Sequence, residues 1–230
     1  MNFEDIPCLK CLEYNKCEEL DAAGDYSLRR CQRAVEQRYY TEIHDMDVLE
    51  IGCGTRAKGG FIKDIVEKNN CRWTGIDVID TDLATHVCSV EKMPFEAGTF
   101  DWVVGAQTLE HWKRPRRSLK EISRVLRPGG KVSLTAPVHL HGEKMFVTGR
   151  FDRIKSLFLK SPLNLTKIET WRRQYCGLSP YRPNEYAQKK LRKVGITDYD
   201  GISQYIIHCT AVKEPNTERK GVLAKLLTVR

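Results

Sequence analysis

The sequence predicts an α/β fold with a mostly parallel sheet and helices on both faces. From Asp47 onward, short apolar runs alternate with segments of helical periodicity, and this alternation is typical of βαβ units. The 230 residues are enough for one such domain with insertions. A hydrophobic fraction of 41% and a charged fraction of 30% are ordinary for a globular protein.

Short apolar runs predict the first five strands, at 48–51, 73–78, 86–90, 100–104 and 131–135. Helical periodicity predicts helices at 61–68 and 116–126, and the second of these stops at the breaker sequence Arg-Pro-Gly-Gly. The apolar segments 196–199 and 204–212 are expected to close the sheet as an antiparallel pair.

Composition divides the chain into three regions. We expect residues 1–40 to form a cysteine-containing helical extension, residues 41–215 the main domain, and residues 216–230 a basic tail. Within the main domain, the aromatic and basic segment 138–183 breaks the alternation, so we expect a helical insertion after the fifth strand that covers the active site as a lid. No apolar run approaches the roughly 20 residues of a membrane span, and the acidic start lacks the order of a signal peptide, so we expect a cytoplasmic location.

The formal net charge of +8 indicates acidic partners, such as nucleic acid, an anionic membrane surface or a phosphorylated substrate. A solvated basic surface explains the same charge equally well. The charge alone therefore leaves the class of partner open.

The N-terminal cysteines are a candidate metal site. Cys8 and Cys11 have the spacing of a ligand pair, and Cys17 and Cys31 complete a set of four thiolates for zinc or an iron–sulfur cluster. The second half of the set lacks a matching pair, and disulfides are not expected in a reducing compartment. Reduced, partly buried thiols are the alternative.

A glycine turn follows the first predicted strand, in the sequence Glu50-Ile51-Gly52-Cys53-Gly54. Glycines at the carboxyl end of a parallel strand let the backbone approach a ligand closely. The stretch also fits the GxGxxA form of the dinucleotide fingerprint, and Asp77 falls near the ribose-binding position. At this point both a nicotinamide cofactor and S-adenosylmethionine fit the residues.

Five ordered motifs decide between them: VLEIGCG at 48–54, GID at 75–77, EKMPF at 91–95 with FD at 100–101, LEH at 109–111 and RPGG at 127–130. Together they closely resemble the class I S-adenosylmethionine-dependent methyltransferases, in particular the subgroup that includes quinone-biosynthesis and many small-molecule or glycan enzymes. The resemblance implies a Rossmann-like sheet of seven strands whose last strand is antiparallel.

The resemblance also implies roles for individual residues. Gly52 and Gly54 would pass beneath the methionine part of the cofactor, and Glu50 would organise that end. Asp77 would accept hydrogen bonds from both ribose hydroxyls. Val78 or Ile79 would pack on one face of the adenine ring.

The third motif departs from the family pattern. Family members carry an aspartate where this chain has Ser89, and a serine hydroxyl is a shorter and uncharged acceptor for the adenine amino group. Val90 would still offer a backbone donor to the ring. Gln107, near the end of the fourth strand, is a further residue of the expected pocket.

Three histidines are candidates for a catalytic base. His111 follows the fourth strand, where a base would meet an acceptor hydroxyl. His139 and His141 follow the fifth strand, and their spacing places both on one side of an extended segment, to act as base or to bind a metal with Glu143. The expected function is O-methylation of a small molecule or glycan.

Two alternatives remain open at this stage: an RNA methyltransferase and a non-catalytic cofactor- or partner-binding module. The residues at 105–108 are Gly-Ala-Gln-Thr, in place of the Asn-Pro-Pro-Tyr or Asp-Pro-Pro-Tyr sequence with which amino-methylating nucleic-acid enzymes hold a flipped base. This difference makes nucleic acid a weaker candidate than a small molecule, despite the basic charge.

Overall fold

The computed structural model describes residues 43–55, 61–137, 146–147, 150–174, 192 and 203–215. Its strands form one sheet in the order β3-β2-β1-β4-β5-β7-β6. The seven strands are β1 Asp47–Ile51, β2 Arg72–Asp77, β3 His86–Val87, β4 Phe100–Gly105, β5 Leu126–Pro137, β6 Leu163–Gln174 and β7 Ser203–Lys213. The helices are α1 Phe61–Lys68, α2 Pro115–Val125 and α3 Phe151–Leu159, with a short 3-10 helix at Leu109–His111.

The central strands are parallel and covered on both faces, as the sequence predicts. β1 pairs in parallel with β2 and β4, and β5 continues the parallel order beside β4. Successive side chains of a strand point to opposite faces, so Leu49 joins the core under α2 and α3 whereas Val48 joins the core under α1. Burial on both faces explains why these strands appear in the sequence as continuous apolar runs.

The last strand, β7, runs antiparallel to both of its neighbours, which confirms that prediction. Ser133 of β5 lies opposite Thr210, and Ile168 of β6 lies opposite Cys209. Because β7 reverses direction, β6 runs parallel to the first five strands. The order and directions are those of the Rossmann-like sheet expected from the sequence motifs.

The described residues of the segment expected as an insertion, 138–183, are only partly helical. Its helix is present as α3, but Ile154, Leu157 and Phe158 of that helix are buried in the main core. The following residues form β6, an edge strand of the sheet, instead of part of a lid. The expected closing strand at 196–199 lies outside the described residues, and among the described strands the outer antiparallel neighbour of β7 is β6.

The predicted extension 1–40 and basic tail 216–230 lie outside the described residues. No helix in the described part of the chain has the length and apolar character to cross a membrane.

Charged residues tie the amino ends of four strands together. Asp47, the first residue of β1, accepts side-chain hydrogen bonds from Arg72 of β2 (Nη2–Oδ2 2.6 Å) and from Arg127 of β5 (Nη2–Oδ2 2.9 Å). Arg127 also bonds Asp101 of β4 through Nη1 (2.5 Å to Oδ2). The hydrogen bond from Arg72 is the main cause that lowers the pKa of Asp47, and Arg127 adds to it. We call these four residues the amino-edge network.

Candidate active site

The opposite edge of the sheet carries a cavity of about 480 Å³. It opens where β1, β2 and β4 end, the position at which open α/β sheets bind ligands. Its walls come from five short segments, at 51–52, 76–78, 88–91, 107–108 and 111–113. Six of the eight residues predicted to bind the cofactor lie on these walls: Gly52, Asp77, Val78, Ser89, Val90 and Gln107.

The turn after β1 needs its first glycine for two reasons. Gly52 has a φ of 68°, and a Cβ there would lie 2.5 Å from Cγ2 of Thr108. Gly54 has a φ of 64°, but a Cβ there would meet nothing within 4 Å. The closeness of the Thr108 side chain therefore requires glycine at position 52. At position 54 only the positive φ favours glycine.

Asp77 is the last residue of β2, and two backbone amides hold its carboxylate. The Gly54 N–H donates to Oδ2 at 3.0 Å, and the Ile79 N–H donates to Oδ1 at 3.3 Å. Each carboxylate oxygen can accept a further hydrogen bond. The Gly54 amide thus joins the glycine turn to the carboxylate on the cavity wall.

Glu50 lies beside this turn but does not line the cavity, and the same is true of Gly54. The Glu50 side chain is 5% exposed, and its Oε2 accepts the Trp73 indole N–H at 2.9 Å. Burial raises the pKa of Glu50 to about 8, and the Trp73 hydrogen bond opposes that rise. A carboxyl in this position is sensitive to any positive charge placed near it.

The wall formed by the residues after β3 combines apolar and polar groups. Val90 is buried, whereas Val78, which follows β2 and lines the same cavity, is 69% exposed. The Ser89 hydroxyl accepts the Glu91 backbone N–H at 3.2 Å. Ser89 therefore uses one acceptor position locally and keeps its O–H as a donor.

Gln107 follows β4 in a backbone conformation that side chains rarely adopt, with a φ of 55°. Its backbone N–H (2.9 Å) and its side-chain Nε2 (3.2 Å) both donate to Oγ1 of Thr135, a buried residue of β5. Strain held by neighbouring groups in this way is common at functional sites. Sequence reasoning found Gln107 but missed Thr135, for which the only signal was a hydroxyl within an apolar strand.

Among the other wall residues that sequence reasoning missed are Thr108 and Trp112, both of them buried. Thr108 and Trp112 stand directly before and after the motif Leu109–His111. This position beside a motif already identified is the sequence feature that could have predicted them. Trp112 adds an aromatic side chain to the cavity wall.

His111 ends the 3-10 helix and lines the cavity with a side chain that is 37% exposed. Its Nε2 lies 3.8 Å from Oε1 of Glu110, a fully buried carboxyl. The structure therefore brings His111 to the same cavity as Gly52 and Asp77.

His139 and His141, the other two candidate bases, lie outside the described residues, as do the candidate metal ligands Cys8, Cys11, Cys17 and Cys31. Among the residues that the structure does describe, no group of three or more histidine, cysteine or acidic side chains is arranged to hold a metal ion.

Comparison with known families identifies this part of the chain. A family model described as "Methyltransferase domain" matches residues 49–134. The match runs from β1 into β5 and includes every wall of the cavity. It therefore covers the same residues that build the candidate site.

Curated relatives match a similar part of the chain. The Oryza sativa subsp. japonica protein "2-methyl-6-phytyl-1,4-hydroquinone methyltransferase 2, chloroplastic" is 47% identical over 115 residues, which cover 50% of this chain and 28% of that protein. The "Ubiquinone biosynthesis O-methyltransferase" of Colwellia psychrerythraea is 27% identical over 105 residues, covering 39% of this chain and 41% of the relative. The chain thus matches less than half the length of these relatives.

A solved structure shares the fold. The geranyl diphosphate C-methyltransferase of Streptomyces coelicolor A3(2), in complex with Mg²⁺, geranyl diphosphate and S-adenosyl-L-homocysteine, superposes with a TM-score of 0.55 and 13% identity. The superposition covers 81% of each chain, and at this identity the likeness shows the fold alone. The family match and the sheet order together show that residues 49–134 form a domain of the class I S-adenosylmethionine-dependent methyltransferases.

Proposed function

We propose that this chain transfers a methyl group from S-adenosylmethionine to a hydroxyl of a small aromatic molecule. The observation that carries the proposal is the convergence of Gly52, Asp77 and His111 on one cavity at the carboxyl edge of the sheet. A cavity of about 480 Å³ is within the usual range for small-molecule sites.

The residues on the cavity wall fit the chemical groups of the cofactor. The Asp77 carboxylate, fixed by the Gly54 and Ile79 amides, would accept hydrogen bonds from the two ribose hydroxyls. Gly52 would let the methionine part pass close to the backbone. Val78 and Val90 would supply apolar contacts for the adenine ring on either side.

Glu50 does not line the cavity, so it would act on the cofactor through the electrostatic effect of its charge. S-adenosylmethionine carries a positive sulfonium and a positive ammonium, and either charge near Glu50 would favour the ionised carboxyl. Because the pKa of Glu50 is about 8 without such a charge, we expect cofactor binding near neutral pH to release a proton from this residue. This role is consistent with a carboxyl that does not line the cavity.

The cofactor supplies a methyl group already activated by its sulfonium, so the protein has to align the acceptor and take up its proton. As the hydroxyl oxygen bonds to the methyl carbon, the carbon–sulfur bond breaks and S-adenosylhomocysteine remains. His111 would accept the hydroxyl proton on its imidazole. The buried Glu110 carboxyl near His111 Nε2 would stabilise the resulting imidazolium.

The choice of an aromatic acceptor has two supports. The relatives carry the names of hydroquinone and ubiquinone-biosynthesis methyltransferases. Trp112 offers an aromatic side chain on the same wall as His111, and aromatic rings pack well against each other. A glycan acceptor finds no such support.

The direct test is methyl transfer from deuterium-labelled S-adenosylmethionine to a panel of acceptors, read by mass spectrometry. The panel includes hydroquinones, catechols, oligosaccharides and an RNA transcript. The proposal expects a labelled methyl ether on a phenolic hydroxyl. A label found only on RNA, or cofactor binding without transfer to any acceptor, would contradict it.

The role of His111 has its own test. We expect His111→Ala to lower turnover by roughly 10²- to 10⁴-fold with little change in cofactor affinity. The matched control is His44→Ala, an exposed histidine before β1, which should leave turnover unchanged. Full turnover by His111→Ala from about pH 6 to 9, a range that includes the ordinary histidine pKa of about 6.5, would remove His111 from the mechanism.

A further inference from the structure

A second groove, of about 500 Å³, lies between the start of α2 and the exposed side of α3. Four of the seven residues that line it are arginines: Arg114, Arg116, Arg117 and Arg153. The other three are Pro115, Ser156 and Leu157, so no acidic residue lines the groove in the described part of the chain. We call it the arginine groove.

The arginines have little neutralising charge nearby. Glu91 holds two of them, since its Oε2 lies 3.7 Å from Arg114 Nη1 and its backbone oxygen accepts the Arg117 Nε–H at 3.2 Å. The side chains of Arg116 and Arg153 have no carboxylate partner among the described residues. Two carboxylates therefore act on the four guanidinium groups: that of Glu91, near Arg114, and that of Glu121, whose charge also interacts with Arg117.

The local backbone adds to the positive potential. The residue before α2, Arg114, makes no side-chain cap, and the first turn of the helix contains no acidic residue. The positive end of the helix dipole is thus left uncompensated by charge. Grouping four cations at this end is electrostatically unfavourable unless an anion joins them.

The arginine groove adjoins the cavity without being part of it. Lys113 lines the cavity, and the next residue along the chain, Arg114, lines the groove. Glu91 likewise lines the cavity while it contacts Arg114 and Arg117. An anion in the groove would therefore lie beside the mouth of the methyl-transfer cavity.

We propose that the arginine groove is a binding site for a phosphate group. Guanidinium groups present fixed pairs of N–H donors that match phosphate oxygens in a bidentate manner, and several of them around one phosphate satisfy its three free oxygens. The phosphate of a soluble ester and that of a lipid headgroup share this chemistry. The site is distinct from the proposed cofactor site and does not depend on methyl transfer.

The test uses the full chain and compares the double variant Arg116→Ala/Arg153→Ala with the control Lys68→Ala/Lys167→Ala, which removes two exposed charges elsewhere on the surface. Calorimetric titration with inorganic pyrophosphate should show saturable binding that the arginine variant weakens by about tenfold or more. The control variant should bind pyrophosphate like the unaltered chain.

A second arm distinguishes the sources of the phosphate. Vesicles of phosphatidylcholine with phosphatidic acid, but not vesicles of phosphatidylcholine alone, should retain the chain if the natural ligand is a lipid headgroup. Pyrophosphate binding without vesicle binding would indicate a soluble ester. In either case, the arginine variant should lose the interaction.

Folding of the variants is checked by their affinity for S-adenosylhomocysteine, which binds at the other cavity. The variant Arg116→Lys/Arg153→Lys keeps both charges but loses the paired donors, and we expect an intermediate affinity. Equal pyrophosphate binding by the unaltered chain, by Arg116→Ala/Arg153→Ala and by the control Lys68→Ala/Lys167→Ala would overturn the proposal. So would salt-dependent retention of an RNA transcript with no saturable binding of pyrophosphate.

Discussion

The two edges of the sheet use polar residues in opposite ways. At the amino edge, Asp47, Arg72, Asp101 and Arg127 bond one another across β1, β2, β4 and β5. At the carboxyl edge of the same strands, Asp77 and Gln107 are held by backbone amides or a hydroxyl and line a cavity.

β1 shows the contrast within a few residues. It begins at Asp47, whose carboxylate is engaged by two arginines, and it ends just before Gly52, where a side chain would collide with Thr108. The amino edge satisfies its charges internally, and the carboxyl edge keeps acceptors and space available. We therefore expect substitutions at the first edge to change stability alone, and substitutions at the second to change stability and ligand binding together.

Glu50 is expected to show the largest effect on stability. Its folded pKa of about 8 lies above the ordinary glutamate value, so folding binds a proton and stability falls as pH rises from about 4.5 to 8. Glu50→Gln removes that dependence and should raise the free energy of unfolding above pH 8 by roughly 3 to 5 kcal/mol. Thermal melts from pH 4.5 to 9 measure the gain.

The control for this prediction is Glu96→Gln, which alters an exposed carboxyl. Its melting temperature should follow that of the unaltered chain across the whole pH range. A gain from Glu50→Gln that is equal at pH 4.5 and pH 9 would contradict a buried carboxyl with a raised pKa.

The two reasons for glycine at 52 can be separated experimentally. Gly52→Ala combines a positive φ with a Cβ 2.5 Å from Thr108, whereas Gly98→Ala has a positive φ of 71° and nothing within 4 Å. We expect Gly98→Ala to cost about 1 kcal/mol of unfolding free energy and Gly52→Ala about 2 kcal/mol more. Urea denaturation measures both, and equal losses would mean that the Thr108 contact relaxes freely.

The amino-edge network should give the smallest effect. Arg127 is 40% exposed, so solvent screens its ion pairs and Arg127→Ala should cost about 1 kcal/mol. The network lowers the pKa of Asp47, so its contribution is present above the ordinary aspartate pKa and is lost as pH falls through the folded pKa. Arg150→Ala, which breaks an exposed pair with Asp152, is the control with almost no expected loss.

The affinity of Arg127→Ala for S-adenosylhomocysteine, measured by calorimetry, sharpens the comparison of the edges. It should equal that of the unaltered chain, because Arg127 lies at the opposite end of the strands from the cavity. A large loss of affinity would show that the two edges are coupled.

Most strands were predictable because burial on two faces leaves a continuous apolar run, as in Trp102–Val104 within β4. β6 was not predictable in this way. It carries Leu163, Leu165 and Ile168 toward the core, but the register shifts between Leu165 and Lys167, and this irregularity interrupts the period of two. Its remaining residues are polar or charged except for Trp171, so the segment was assigned to an insertion.

The site was predictable where a motif fixes the backbone, as at Gly52 and Asp77. It was not predictable where a contact joins residues that are far apart in the sequence but lie on neighbouring strands. Thr135 holds Gln107 across 28 positions of sequence, and a threonine inside an apolar strand gives no sign of that partner. The Gly54 amide on Asp77 is a link of the same kind between two motifs that the sequence shows separately.

The central claim is that Asp77 anchors a cofactor at the carboxyl edge of the sheet. Calorimetric titration of S-adenosylhomocysteine into the chain, into Asp77→Ala and into Asp101→Ala tests it most directly. We expect Asp77→Ala to lose about 2–4 kcal/mol of binding free energy, and Asp101→Ala, at the amino edge, to bind normally. Equal affinities for all three proteins, or tight binding of a nicotinamide dinucleotide with none of S-adenosylhomocysteine, would contradict the account.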